Sequence, residues 1–127
     1  MLVEADDQND PIADTVRGIV DGHLVLSRRL AHSGQYPAID VLASLSRLMA
    51  HITTPEHLRQ AHLFRDLLAT WRDNEELVRL GAWRRGASAQ VDRAVDAWPR
   101  LRAFMTQSTD HSATPAETQA LLAEALG

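Results

Sequence analysis

The side chains able to do chemistry in this chain are mostly cationic. All 13 basic residues are arginine and none is lysine. A guanidinium is planar and permanently charged, so it suits forked contacts with carboxylates, phosphates and carbonyls. Arg47 closes the run Val41-Leu42-Ala43-Ser44-Leu45-Ser46-Arg47, and spacing alone gives it an ordinary place at the surface or at a helix end. Nine arginines between Arg59 and Arg102 stand against six acids, which reads as a solvated helical face or as a surface for docking partners. Tyr36 is the single tyrosine and precedes Pro37. A ring stiffened by a following proline suits stacking on a base, although unaided it reads as a loop aromatic packed on its own domain.

Several familiar chemistries are excluded. A phosphate loop of the form G-x-x-x-x-G-K-[ST] needs its lysine on the β- and γ-phosphates, and the chain has no lysine. Without cysteine there is neither a disulfide nor a thiolate metal site. His57 and His62 are five residues apart, on different faces of a helix, and do not make a zinc pair. Ser27 and Ser46 lack a glycine elbow. Asp21-Gly22-His23 has the look of an acid–histidine pair but reads better as a tight turn feeding a strand. A net charge of −4 argues against general nucleic-acid binding. No apolar run approaches the ~20 residues of a membrane-spanning helix.

The elements that must position these residues fall into two parts. Met1 to Glu4 reads as the tail of a buried strand. Asp10 and Pro11 open a helix carrying Ile12, Val16, Ile19 and Val20. His23 to Leu26 reads as a buried strand, and Ser27 caps a brief helix closed by Gly34. Tyr36 to Asp40 is extended, because the residue before a proline avoids the helical region. From Thr54-Pro55-Glu56 onward the pattern turns helical, with Leu58, Ala61, Leu67, Leu68 and Trp71 on one face and a stop at Gly81. Ser88 opens a second helix bearing Val91, Val95, Trp98, Leu101, Arg102 and Met105, which Pro99 is expected to kink. Trp71, Trp83 and Trp98 read as core, with Trp83 also placed to be an exposed loop contact. After a polar linker, Thr114-Pro115-Ala116-Glu117 has the form of a capping box before Leu121, Leu122 and Leu126. Residues 1–50 contain too few strands to complete a sheet, so chain N-terminal to Met1 is expected.

Three runs taken in order, Asp6 to Asp14, Asp21 to Arg28 and Gln35 to Arg47, resemble the type III secretion ATPases. These comprise the flagellar export and injectisome ATPases and are similar in turn to the catalytic subunits of rotary ATP synthases. Weaker similarity continues through Glu75 to Gly81 and Trp98 to Phe104, so the resemblance covers essentially the whole chain. Ala5 stands where the family usually has glycine, a mild departure.

The resemblance implies a mainly α fold. Residues 1–50 would be the final strands of a RecA-like α/β nucleotide-binding domain, and residues 51–127 a C-terminal helical domain. It implies that Arg47 is an arginine finger acting in trans on the neighbouring subunit's γ-phosphate, and that Tyr36 with Pro37 faces the adenine. The family carries its phosphate loop, magnesium-binding aspartate and catalytic glutamate upstream of this segment. ATP with Mg is therefore expected only in a full-length hexamer, and no cofactor or metal for the isolated chain. The implied function is the C-terminal part of a hexameric ATPase that drives type III protein secretion by unfolding substrates and releasing chaperones. The implied partners are sister subunits, a coiled-coil stalk protein, a stator or regulator of the export apparatus, and chaperone–substrate complexes. The place is the cytoplasmic face of the bacterial inner membrane, with peripheral association. The alternative is a non-catalytic helical adaptor derived from such an ATPase.

Overall fold

The computed structural model describes residues 11, 15, 16, 19, 21–108 and 110–127. The expected strand at Met1 to Glu4 and the Asp10 cap, with Ile12 and Val20, lie outside them. Pro11, Thr15, Val16 and Ile19 are helical. The elements that follow are β1 (Gly22–His23), α1 (Arg28–His32), β2 (Leu45–Ser46), α2 (Met49–Ile52), α3 (Pro55–Arg79), α4 (Ala89–Met105) and α5 (Pro115–Leu126).

The helix boundaries follow from cap chemistry. Thr54 accepts a hydrogen bond from the His57 amide at 3.2 Å, with Pro55 at the first helical position. Gly81, at φ 72°, follows the end of α3. Ser27 caps α1 through the Leu30 amide. At α5 both arms of the capping box are closed: Thr114 Oγ1 accepts from the Glu117 amide, and the Thr114 amide donates to Glu117. Ser88 precedes α4 but makes no side-chain cap. Asp92, one turn inside, instead accepts from the Gly86 amide at 2.8 Å.

Helices α3, α4 and α5 pack on one another around a core of Phe64, Leu67, Leu68, Ala94, Ala97, Leu101 and Leu122. Phe64 meets Phe104 edge-on, with ring centroids 5.2 Å apart, and Trp71 stacks on Trp98 at 4.7 Å. The buried stripe of α4 is Ala94, Ala97 and Leu101, whereas Val91 and Val95 are half-buried and Arg102 is exposed. The buried stripe is thus shifted to one side of the expected face, with Leu101 common to both and Trp98 and Met105 still packed against the core. Alanine adds little to an apolar pattern, yet its small side chain is what lets two helices approach closely. The helix runs on through Pro99, which lies on the exposed side, where the carbonyl deprived of its amide partner can be solvated.

The expectation of a buried strand from His23 to Leu26 needs correction. Only Gly22 and His23 pair as β1, antiparallel to β2. Val25 is buried, whereas Leu24 is 73% and Leu26 60% exposed. Successive side chains of an extended segment point to opposite faces. Among the described residues, strand pairing is limited to β2 and a single bridge, Leu26 to Ile39, so the segment is half-covered rather than enclosed. The pairing is tight at Gly22, where a Cβ would stand 2.7 Å from the Leu45 carbonyl oxygen.

Leu101 is fully buried and Leu121 is 44% exposed. Leu101→Ala is expected to lower the unfolding free energy by about 2–5 kcal/mol, the usual cost of a Leu-to-Ala cavity. Leu121→Ala should cost clearly less. Urea titration followed by circular dichroism checks both, and equal losses would mean the core is not centred on α4.

Candidate functional site

The segment from Val25 to Arg47 is built on a chain of backbone bonds. Its two extended arms are joined where the Ser27 amide donates to Ala38 at 2.8 Å and the Asp40 amide donates to Val25 at 2.7 Å. The chain then turns at residues 40–44. Asp40 holds that turn from both ends of its residue. Its carboxylate accepts from the Ala43 amide at 3.2 Å, and its carbonyl accepts from the Ser44 amide at 3.0 Å and from Ser44 Oγ at 2.6 Å. Ser44 Oγ in turn accepts from the Val25 amide at 3.0 Å. Beyond β2, the Arg47 amide donates to the Asp21 carbonyl at 2.7 Å.

The residues singled out from sequence are anchored at two places. Tyr36 is 55% exposed, and its carbonyl accepts from the Gln107 amide, just past α4, at 2.7 Å. The ring is therefore not packed away as a plain loop aromatic would be. The bond from Tyr36 to the exposed Pro37 is cis. Arg47 is exposed and tied through its backbone to the other end of the segment, beside β1.

Two arginines of α3 bind this segment to the helical core, and sequence reasoning did not single them out. Arg65 donates through Nη1 to the Val41 carbonyl at 2.7 Å and the Ser44 carbonyl at 3.4 Å, and through Nη2 to the Leu42 carbonyl at 3.1 Å. Arg72 donates to the Asp40 carboxylate at 2.9 Å. Arg65 and Arg72 are seven apart, two turns along one helix face, which was the one signal available. The arginine-rich helices are thus not simply a solvated face. Arg85 grips Asp96 through two bonds and lies 5.4 Å from the Trp83 ring. Arg100 donates to the Ala125 carbonyl and Arg102 to the Ser33 carbonyl.

The Arg72–Asp40 pair is only 28% and 20% exposed at its two side chains, unlike Arg59–Glu56 and Arg79–Glu76, which lie in open solvent. Burial by itself would raise the Asp40 carboxyl. The hydrogen bond from Arg72, the one from the Ala43 amide and the attraction of the Arg72 charge outweigh it and hold that group below the usual carboxylate range. A carboxyl depressed on folding stabilises fully above its unfolded value of about 4, and the contribution is lost as pH falls through the lowered folded value. Asp40→Asn is expected to cost about 1 kcal/mol at neutral pH. The gap between the two proteins should close as the pH falls below about 4. Urea unfolding at a series of pH values tests this, and a gap that stays constant or widens in acid would refute it.

Comparisons with known proteins cover the whole of the chain. Residues 53–124 match the T3SS EscN ATPase C-terminal domain, and residues 1–46 match the nucleotide-binding domain of the ATP synthase alpha/beta family. The flagellum-specific ATP synthase of Bacillus subtilis is 49% identical over 127 residues, all of this chain and 29% of that protein. The assembled type III secretion ATPase EscN of enteropathogenic E. coli superposes with a TM-score of 0.94 at 38% identity, over all of this chain and 31% of its own. EscN in complex with its central stalk EscO superposes at 0.86, also at 38% identity, over 92% of this chain and 29% of that one. The chain spans less than a third of the length of these proteins. It belongs to the family of type III secretion and flagellar export ATPases and corresponds to the C-terminal part of that family.

Proposed function

We propose that this segment completes the catalytic interface of a hexameric ATPase that powers type III protein export. Residues 1–50 form the end of the nucleotide-binding domain, and residues 51–127 form a helical domain for partners. Arg47 acts as an arginine finger, reaching the γ-phosphate of ATP held with Mg by the neighbouring subunit. Tyr36, with Pro37, lies against the adenine. The helical domain meets a central stalk, as EscN does with EscO, and also a regulator of the export apparatus and chaperone–substrate complexes. The assembly works in the cytoplasm, docked peripherally at the inner membrane.

The observation that carries this reading is Arg47 itself. It is an exposed arginine whose backbone amide is held by the Asp21 carbonyl, immediately after residues 1–46, the stretch that matches the ATP synthase nucleotide-binding domain. A permanent, planar cation is what a departing γ-phosphoryl group requires, since charge spreads over its equatorial oxygens in the transition state. The exposed Tyr36 ring, on a different tether, supports a separate contact with the adenine of the nucleotide held by its own subunit.

The 127-residue chain alone is expected to show no magnesium-dependent ATP hydrolysis above a buffer control, because the phosphate-loop lysine is missing. The positive test uses a chimera in which this chain replaces the matching stretch of the Bacillus subtilis relative. There, Arg47→Ala should reduce turnover by about 10³–10⁵ while leaving ATP binding largely intact, since the finger acts on charge that develops only in the transition state. Lysine should rescue poorly. Mixing Arg47→Ala subunits with subunits lacking the phosphate-loop lysine should restore part of the turnover. Near-normal turnover of Arg47→Ala, or a dead mixture in which mixed hexamers form, would overturn the reading.

A further inference from the structure

We infer that Arg65 and Arg72 are positioning residues for Arg47, transmitting the pose of the helical domain to the segment that ends in that arginine. The inference rests on the reading of Arg47 given above. Arg65 closes the turn at residues 41–44 by donating to three of its carbonyls, Val41, Leu42 and Ser44. The same turn presents Val41 and Leu42 to the core of α3, α4 and α5. Arg72 holds the carboxylate that starts the turn. Only β2 separates the turn from Arg47.

The chemistry favours a specific role over general packing. A carbonyl oxygen carries a partial negative charge, and three of them converging on one guanidinium need donors fixed in a plane. An ammonium also has three donors, but they radiate from a single atom and cannot reproduce the spread from Nη1 to Nη2. The arginines that pair with acids one turn away on α3, Arg59 and Arg79, reach nothing outside their own helix in those pairs and supply a natural control.

Two measurements test the inference. In the 127-residue chain, amide exchange followed by NMR should show Ala43, Ser44 and Arg47 opening about tenfold more readily in Arg65→Met. Amides of Ala94, Ala97 and Leu101 should be unchanged, so that global unfolding is separated from loss of the clamp. Arg65→Lys should fall between the two, Arg72→Met should act in the same direction, and Arg59→Met should do nothing. In the chimeric hexamer, Arg65→Met should lower kcat by about tenfold with little change in the KM for ATP. In an Arg47→Ala background it should cause no further loss, since residues acting through one group are non-additive. Unchanged exchange at Ser44 and Arg47, a loss confined to KM, or losses that multiply in the double variant would overturn the inference. Near-normal turnover of Arg47→Ala would instead overturn the reading on which it rests.

Discussion

Arg65 is bound to carbonyls 21 to 24 residues away, and the relation between the two parts of the chain depends on that fork. The 21–47 segment has two short strands, the five-residue helix α1, one bridge and a handful of turns, with little buried apolar surface of its own. Such a piece does not set its own orientation. Val41 and Leu42 give it adhesion to the helices, but apolar contact is non-directional. The guanidinium plane supplies direction, and hydrogen bonds to a charged donor are individually stronger than neutral ones. The half-buried Arg72–Asp40 pair acts on the same turn from the next-but-one turn of α3.

The helical half rests on different physics. Its three long helices are closed by local caps and held by interdigitated side chains, with alanines where α4 presses against its neighbours. Packing of that kind is cooperative and resists small displacements. The clamp therefore joins a stiff body to a weakly self-supporting one. The stiff partner sets the geometry.

What could be read from the sequence divides along the same line. Helices α3 and α5 are legible because Thr54-Pro55, Gly81 and Thr114-Pro115-Ala116-Glu117 act within one turn of themselves. The burial of α4 is harder to read, because Ala94 and Ala97 look unremarkable beside Val91 and Val95 until a second helix is placed against them. Leu24 and Leu26 mislead, since an apolar run says nothing about whether both its faces are covered. Tyr36 and Arg47 stand out only through the family resemblance, since nothing in their own spacing distinguishes them from ordinary loop and surface residues. For the fork of Arg65 and the pair of Arg72 with Asp40, 32 residues apart, the seven-residue spacing shows only that the two share a helix face, since one sequence does not say which arginine meets which distant turn.

Helix α3 has 25 residues, a rod of roughly 37 Å at 1.5 Å per residue. The clamp grips it near the middle, and Arg79, at its far end, lies about 10 Å beyond Arg72. Leu77 and Leu80 are exposed at that end. Because α3 is packed against α4 and α5, a load at that end would act on the helical body as a whole, with the turn at residues 41–44 as a point of attachment. Were that body to tilt by about 5°, the end of the rod would travel about 1 Å over the roughly 10 Å from Arg72 to Arg79. Mechanical work delivered to a surface leucine and electrostatic work at an arginine tip can in this way share one covalent rod, without any contact between the two places.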